Sequence, residues 1–228
     1  MCDAAAVSRE HVPPLCFFPV GHRTNLFTVP SCDEHNAANS RDVEYVRNAI
    51  STQRGTNETA DKLWETTKRS FDNSPKLFGR TFRDIRPVIV QGEETGSFTI
   101  DRRRFRPVIK AMAYALHYRD IGAKHRGDWQ VFTASAHTAD SLHHGKPDEW
   151  ANFRRLLESE KLTTMPTPEP EVFKYSVLHM DENQILYRFE FYGGFVVNTW
   201  TLPVKLSPFI FQPVFNGTEG TIFLRSED

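Results

Sequence analysis

Cysteine is scarce in this sequence, with three among 228 residues. Cys2, Cys16 and Cys32 all lie in its first part. An odd and sparse set of this kind argues against a disulfide framework and leaves metal binding or plain burial as uses for the thiols. For Cys16, the apolar run Leu15-Cys16-Phe17-Phe18 favours burial, because an unpaired cysteine behaves as a small hydrophobic residue.

The sequence also lacks a net charge and long apolar runs. It has 28 lysines and arginines against 29 aspartates and glutamates, so a nucleic-acid site would have to come from a local basic cluster. No stretch approaches the roughly 18 consecutive apolar residues of a membrane span, and no basic-then-apolar leader is present. We therefore expect a cytoplasmic globular protein with no membrane partner. The hydrophobic content of 39% is enough for a full core.

Chemically reactive residue types concentrate in residues 8–40, which read SREHVPPLCFFPVGHRTNLFTVPSCDEHNAANS. A Glu-His pair is followed by Asn-Leu and then by Cys-x-x-His-Asn. Short apolar runs between Pro, Gly and Asn predict a hairpin with loops rather than a long helix. Hydrolysis of a phosphodiester needs a base that deprotonates water, a divalent cation that neutralises the phosphate, and a group that holds the base in the correct tautomer. One histidine, one amide and oxygen or nitrogen ligands would meet those needs.

Two motifs in this segment resemble the His-Asn-His endonuclease family, in particular its small bacterial members with E-H-V-P-P followed by V-P-x-C-x-x-C-N. The corresponding residues here are Glu10-His11-Val12-Pro13-Pro14 and Val29-Pro30-Ser31-Cys32-Asp33-Glu34-His35-Asn36. The resemblance implies a ββα-metal finger, in which a β-hairpin and the following helix hold a metal ion. It covers the N-terminal segment most specifically, because several spaced elements must coincide.

The resemblance also implies a role for each matching residue. His11 would be the general base that activates water, and Asn25 would orient its ring. Glu10 would offer a carboxylate to a catalytic Mg²⁺ or Mn²⁺, and Asn36 would complete the shell of that cation through its amide oxygen. The catalytic set would then be His-Asn-Asn rather than His-Asn-His.

Members of the family often carry a structural zinc held by two Cys-x-x-Cys pairs. The second pair corresponds here to Cys32-x-x-His35, which zinc accepts, and Cys2 corresponds to the second cysteine of the first pair. We expect Cys2, Cys32 and His35 to bind zinc with a fourth ligand unidentified. Three explanations stay open: a start codon placed too late, an incomplete zinc site, or a fourth ligand supplied by Cys16 or His22.

Hydrophobic periodicity predicts the rest of the fold. Helices are expected at residues 41–53, 58–71, 102–119 and 148–158, a hairpin over 84–100 around a Gly-Glu-Glu-Thr-Gly turn, and a Pro-rich connector at 165–171. Strands are expected at residues 129–132, 172–177, 185–191, 195–202 and 221–224. The fold class is α+β, with an N-terminal ββα-metal finger over residues 1–54, then a region of unknown role over residues 55–228 with central helices and a C-terminal antiparallel sheet.

One basic cluster could hold phosphates. It consists of Arg102, Arg103, Arg104 and Arg106, with Arg80, Arg83 and Arg86 in support. Arginines in a first helical turn oppose the helix dipole, which favours an anionic partner. A solvated face neutralised by nearby Asp and Glu side chains is the alternative. Loop histidines, such as His125 and His143, are expected to be solvated and receive no role.

The resemblance implies a metal-dependent endonuclease that hydrolyses DNA with water activated by His11, a reaction that would suit phage or mobile-element defence. One alternative is a nucleic-acid- or protein-binding module that keeps the finger but does not cleave. Another is a nuclease that acts on RNA, or one that an activating protein partner must switch on. The three differ in cleavage and in substrate class, so enzymatic assays separate them.

Overall fold

The computed structural model describes residues 3–32, 34, 40–53, 56–90, 93–133, 162–179, 184–201 and 221–225. Its helices are α1 (Ser40–Ile50), α2 (Glu58–Asn73), α3 (Pro75–Thr81) and α4 (Arg102–Ile121), with 3-10 turns at Leu15–Phe17 and Ser51–Gln53. Its strands are β1 (Ser8–His11), β2 (Thr28–Ser31), β3 (Arg83–Val90), β4 (Glu93–Thr99), β5 (Trp129–Thr133), β6 (Thr163–Met165), β7 (Phe173–His179), β8 (Ile185–Phe191), β9 (Phe195–Thr201) and β10 (Thr221–Arg225).

The strands form three antiparallel sheets. β1 pairs with β2, β3 and β10 flank β4, and the largest sheet has the order β5-β9-β8-β7-β6. Helices and antiparallel sheets in one chain confirm the α+β class. The predicted helix at 148–158 lies outside the described residues. Among the described helices, none is both long enough and apolar enough to cross a membrane.

The helices follow the periodicity and the capping residues. In α4, the stripe Phe105, Ile109, Met112 and Leu116 is buried as predicted, and the Asp101 side chain caps the helix by accepting a hydrogen bond from the backbone N–H of Arg103. Periodicity missed the seven-residue α3, which begins with Pro75 at its first position. Proline suits that position because the first N–H groups of a helix have no partner inside the helix.

The predicted hairpin at 84–100 forms, but its turn is shorter than predicted. β4 already begins at Glu93, and Thr95 and Gly96 belong to its ladder with β3. The predicted connector at 165–171 likewise loses Met165 to β6, which pairs with β7. The strand at 221–225 joins β4 rather than the C-terminal sheet.

One hydrophobic cluster links the N-terminal segment to the C-terminal sheet. Phe17 is fully buried and packs edge-on against Phe191 of β8, with ring centroids 5.8 Å apart. The Tyr192 hydroxyl donates a hydrogen bond to the backbone oxygen of Phe17 over 2.5 Å. The same cluster includes Val46 of α1 and Ile109 of α4. The domain boundary predicted at residue 54 therefore marks the end of the finger motif, and the hydrophobic core extends across this boundary.

Two histidines, one in the last turns of α4 and one in the loop that follows it, pack against Trp129 of the large sheet. The rings of His117 and His125 are 5.2 Å apart, and both contact the ring of Trp129. His125 was predicted to be solvated; instead its Nε2 atom is buried, because the loop after α4 folds back onto Trp129. Burial lowers the pKa of both imidazoles, and for His117 the neighbouring His125 and His179 lower it further.

We expect these histidines to make stability fall as the pH is lowered. Unfolded histidines bind protons near pH 6.5, whereas the folded pair does so only at lower pH, so the unfolded state holds more protons in between. Stability is lost as the pH falls through about 6.5 toward the lowered pKa values, by at most about 1.4 kcal/mol per pH unit for each histidine. Urea unfolding between about pH 5.5 and 7.5 measures the slope. His117→Phe should reduce the slope of stability against pH. An unchanged slope would contradict the assignment of this pH dependence to the buried histidines.

Candidate functional site

The β1–β2 hairpin carries Glu10 and His11 of the first motif. Glu10 lies opposite Val29, and His11 lies opposite Thr28. Because side chains alternate along a strand and paired residues share a face, Glu10 and Val29 belong to one face and His11 and Thr28 to the other. Val29 is buried in the core, so the face with Glu10 is the inward one.

His11 is the last residue of β1 and is half-buried on the outward face. Its cross-strand neighbour Thr28 is held by Arg9, whose Nε atom donates to the threonine hydroxyl over 2.8 Å and whose guanidinium also donates to the Thr28 backbone oxygen over 3.2 Å. Arg9 thus places a positive charge on the same face of the hairpin as the imidazole. The imidazole of His11 and the guanidinium of Arg9 therefore share the outward face of β1.

Asn25 lies in the turn that leads into β2. Its backbone φ is 55°, in the left-handed region, and its side chain is exposed. Asparagine tolerates this conformation better than most residues because its short polar side chain can bond locally. Among the contacts recorded for the described residues, no hydrogen bond joins Asn25 to His11. The turn brings Asn25 to the same end of the hairpin as His11, three residues before Thr28.

Glu10 faces inward, toward α4. Its carboxylate accepts a hydrogen bond from the Ser31 hydroxyl over 3.4 Å and lines a cavity of about 390 Å³ between the hairpin and α4. Buried Cys32 lines the same cavity. The structure therefore separates Glu10 from His11, because consecutive residues of a strand leave it on opposite faces.

The donors in the described part of the chain fit two kinds of metal. The Glu10 carboxylate suits a hard cation such as Mg²⁺, and the Cys32 thiol suits zinc. Within the described ranges, no group of three or more His, Cys, Asp or Glu side chains is placed to hold an ion. The other predicted ligands, Cys2, His35 and Asn36, lie outside those ranges.

Two residues that could have supplied the fourth zinc ligand have other surroundings. Cys16 packs partly against the core, and burial raises the pKa of its thiol, which disfavours the thiolate that zinc binds. The His22 Nδ1 atom lies 2.9 Å from a carboxylate oxygen of Glu169. Both arrangements favour a structural role for these side chains.

The four arginines at the start of α4 differ in their surroundings. Arg103 is exposed and Arg102 is half-exposed. The Arg104 guanidinium donates to Asp42 over 2.8 Å, lies over the Tyr45 ring and thereby ties α4 to α1. Arg106 is half-buried, and burial lowers the pKa of its guanidinium. Arg103 is thus the member of the cluster best placed to meet a phosphate.

Comparisons with known proteins returned nothing: no protein-family model, no curated protein and no solved structure matches this chain.

Arg103 and Arg104 form a matched pair for separating binding from stability. Arg104→Ala should lower the free energy of unfolding by about 1 kcal/mol, because a partly exposed ion pair and a cation–π contact are lost. Arg103→Ala should leave stability unchanged and weaken nucleic-acid binding with a shallower salt dependence. Urea unfolding and DNA-binding titrations at several salt concentrations measure both effects. Equal binding by wild type and Arg103→Ala would remove this face from the nucleic-acid interface.

The wall of the cavity on α4 was not predicted from the sequence. Lys110, Tyr114 and Tyr118 form one row along the helix, and the small row of Pro107, Ala111 and Ala115 lies beside it. A signal was present, since small residues recur every fourth position and therefore share one face of the helix. Only the packing of the hairpin against α4 turns that face into a cavity.

Proposed function

We propose that this protein is a metal-dependent nuclease of the His-Asn-His type that hydrolyses DNA phosphodiester bonds. The observation that carries the proposal is the position of His11 at the end of a β-hairpin that a helix, α1, follows in the chain. The order Glu-His, Asn and Cys-x-x-His-Asn along this segment gives further support.

His11 would remove a proton from the attacking water. The oxygen of that water attacks phosphorus, the bond between phosphorus and the leaving oxygen breaks, and that oxygen leaves with a proton from solvent. The amide of Asn25 would hold the imidazole in the tautomer that accepts the proton. Arg9, on the same face, would attract the phosphate.

A divalent cation such as Mg²⁺ or Mn²⁺ would neutralise charge on the phosphate when bound. Asn36 would hold it through its amide oxygen, and Glu10 is the second ligand that the family resemblance implies. Zinc would be held by Cys2, Cys32 and His35. The imidazole of His11 and the carboxylate of Glu10 lie on opposite faces of β1, so a cation held by Glu10 would lie on the face away from the imidazole.

That separation favours one other candidate, a nucleic-acid-binding module that does not cleave. In it, the hairpin and Arg103 would hold a strand, and His11 would have no catalytic role. Cleavage assays decide between the two, because only the nuclease turns over its substrate.

The test uses the full chain with supercoiled plasmid, duplex DNA, single-stranded DNA and RNA, each with Mg²⁺ or Mn²⁺. We expect metal-dependent nicking of DNA that a chelator abolishes. Faster cleavage of RNA would change the substrate class, and inertness on every substrate would support the binding module. Metal analysis of the purified protein tests the zinc site separately, with one zinc per chain expected and loss of that zinc in Cys32→Ser.

A further inference from the structure

The two histidines packed on Trp129 each have a buried ring nitrogen without a hydrogen bond. His117 of α4 is 8% exposed, and its Nδ1 atom has no partner within the described part of the chain. The buried Nε2 atom of His125, in the loop after α4, also has none among the described residues. Buried polar atoms of native proteins are paired in about nine cases in ten, so two unpaired nitrogens in one cluster point to a bound partner such as an ion.

The distance between the two rings matches that of two histidines on one metal ion. Their centroids are 5.2 Å apart. Two imidazoles bound to one tetrahedral ion, each through a nitrogen about 2.0–2.1 Å from the metal, have centroids roughly 5 Å apart. The interplanar angle of 62° is no obstacle, because each ring can turn about its own metal–nitrogen bond. The spacing therefore permits both nitrogens to reach the same ion.

His125 is held in a form that can bind a metal. Its ring forms a hydrogen bond with the backbone of Asp128, and because Nε2 has no partner among the described residues, that bond belongs to Nδ1. Metal-binding histidines donate their second ring N–H in this way, which leaves the lone pair on the nitrogen that binds the ion. Burial lowers the pKa of both imidazoles, so both rings are neutral at pH 7, as a metal ligand must be.

The surroundings of the pair favour a transition metal. Neutral imidazole nitrogen is a ligand of Zn²⁺, Cu²⁺ and Ni²⁺, whereas Mg²⁺ and Ca²⁺ prefer oxygen. The ring of Trp129 lies 5.1 Å from that of His125 and 6.1 Å from that of His117. Its buried Nε1–H also lacks a partner among the described residues, so it is available as a donor to a water molecule on the ion.

We infer that His117 Nδ1 and His125 Nε2 together bind one transition-metal ion of the Zn²⁺ class, with water in the remaining positions. Two protein ligands make this an open site, and they agree with the absence of a group of three ligands among the described residues. The ion would join α4 to the loop that follows it. The site shares no ligand with the zinc expected at Cys32, and it goes beyond the proposed nuclease function.

Zinc binding is compared in the wild-type chain and in His117→Phe, each freed of metal with a chelator. Phenylalanine keeps a ring at residue 117 but removes its nitrogens. Isothermal titration should show that wild type binds one Zn²⁺ more than the variant, because any zinc at Cys32 is common to both, and Mg²⁺ should not compete for this ion. Equal numbers of bound Zn²⁺ would overturn the inference. The measurement contains no DNA, so its outcome is separate from that of the nuclease assays.

A second histidine variant is the control. His22→Asn removes an imidazole outside the pair and keeps a nitrogen donor near the place where His22 Nδ1 contacts Glu169. It should bind as many Zn²⁺ ions as wild type, and loss of the same ion in this variant would also overturn the assignment.

If His117→Phe does not fold, NMR of the wild-type chain decides. Substoichiometric Cu²⁺ should broaden the indole N–H signal of Trp129 before those of the other tryptophans, because this ring lies within 6.1 Å of both histidines. Broadening that spares Trp129 would overturn the site.

Discussion

Replacing His11 with alanine is expected to reduce metal-dependent DNA cleavage by about 10²–10⁴-fold, the usual contribution of a general base. His11 ends β1 on the outward face of the hairpin and is half-buried. Because truncation of a half-buried polar side chain at the end of a strand usually costs little, the variant should fold with about the wild-type melting temperature. The loss should appear in the rate of plasmid nicking at saturating metal, because the proposed role of the imidazole is to activate water and not to hold the cation.

A second histidine serves as the control. His179 is exposed at the end of β7, on the large sheet, and His179→Ala should cleave DNA at the wild-type rate. Thermal unfolding of both variants shows whether either substitution disturbs the fold. Cleavage by His11→Ala at the rate of wild type would remove the histidine from the mechanism, and with it the main support for a nuclease.

Phe17→Ala should lower the free energy of unfolding by about 3–5 kcal/mol, the usual cost of removing a buried aromatic ring. The Phe17 ring is fully buried and packs against Phe191. Its removal leaves a void between the N-terminal segment and the large sheet. Because the hairpin that carries His11 is continuous with Phe17 through Pro13 and Pro14, we also expect the variant to lose cleavage as it unfolds. Urea unfolding measures the change in stability.

Val20→Ala is the matched control for this prediction. Val20 lies three residues further along and is 85% exposed, so trimming it should change stability by less than about 0.5 kcal/mol. Phe17→Leu should recover part of the stability, since leucine refills much of the space. If Phe17→Ala unfolds at the urea concentration of wild type, the N-terminal segment is not anchored to the sheet in the way described.

Local sequence patterns predicted most of the secondary structure. The stripe along α4 and its Asp101 cap could be predicted because they depend on residues within a few positions of one another. The same holds for β8 and β9, which are rich in aromatic and β-branched side chains and flank Gly193-Gly194. Helix α3 was not predicted, because its seven residues are too few to show a clear hydrophobic periodicity and begin with a proline.

Contacts between residues far apart in the sequence could not be predicted. The ladder between β10 and β4 joins strands far apart in the chain, and no local pattern specifies a partner of that kind. The burial of His125 depends on how its loop meets Trp129, and the use of Arg104 depends on Asp42 of another helix. A histidine or an arginine can be exposed or packed, and only its neighbours in the folded chain decide which.

In the candidate site too, some features could be predicted from the sequence and others depend on the tertiary structure. From the sequence alone come the order of Glu10, His11 and Asn25, their resemblance to the His-Asn-His motifs, and a hairpin that carries them, because motif order and turn chemistry are local. The tertiary structure alone decided that Glu10 faces α4 while His11 faces outward, since the inward face of a hairpin is defined only by what packs on it. For the same reason, the cavity beside Glu10 exists only once the small residues of α4 meet the hairpin.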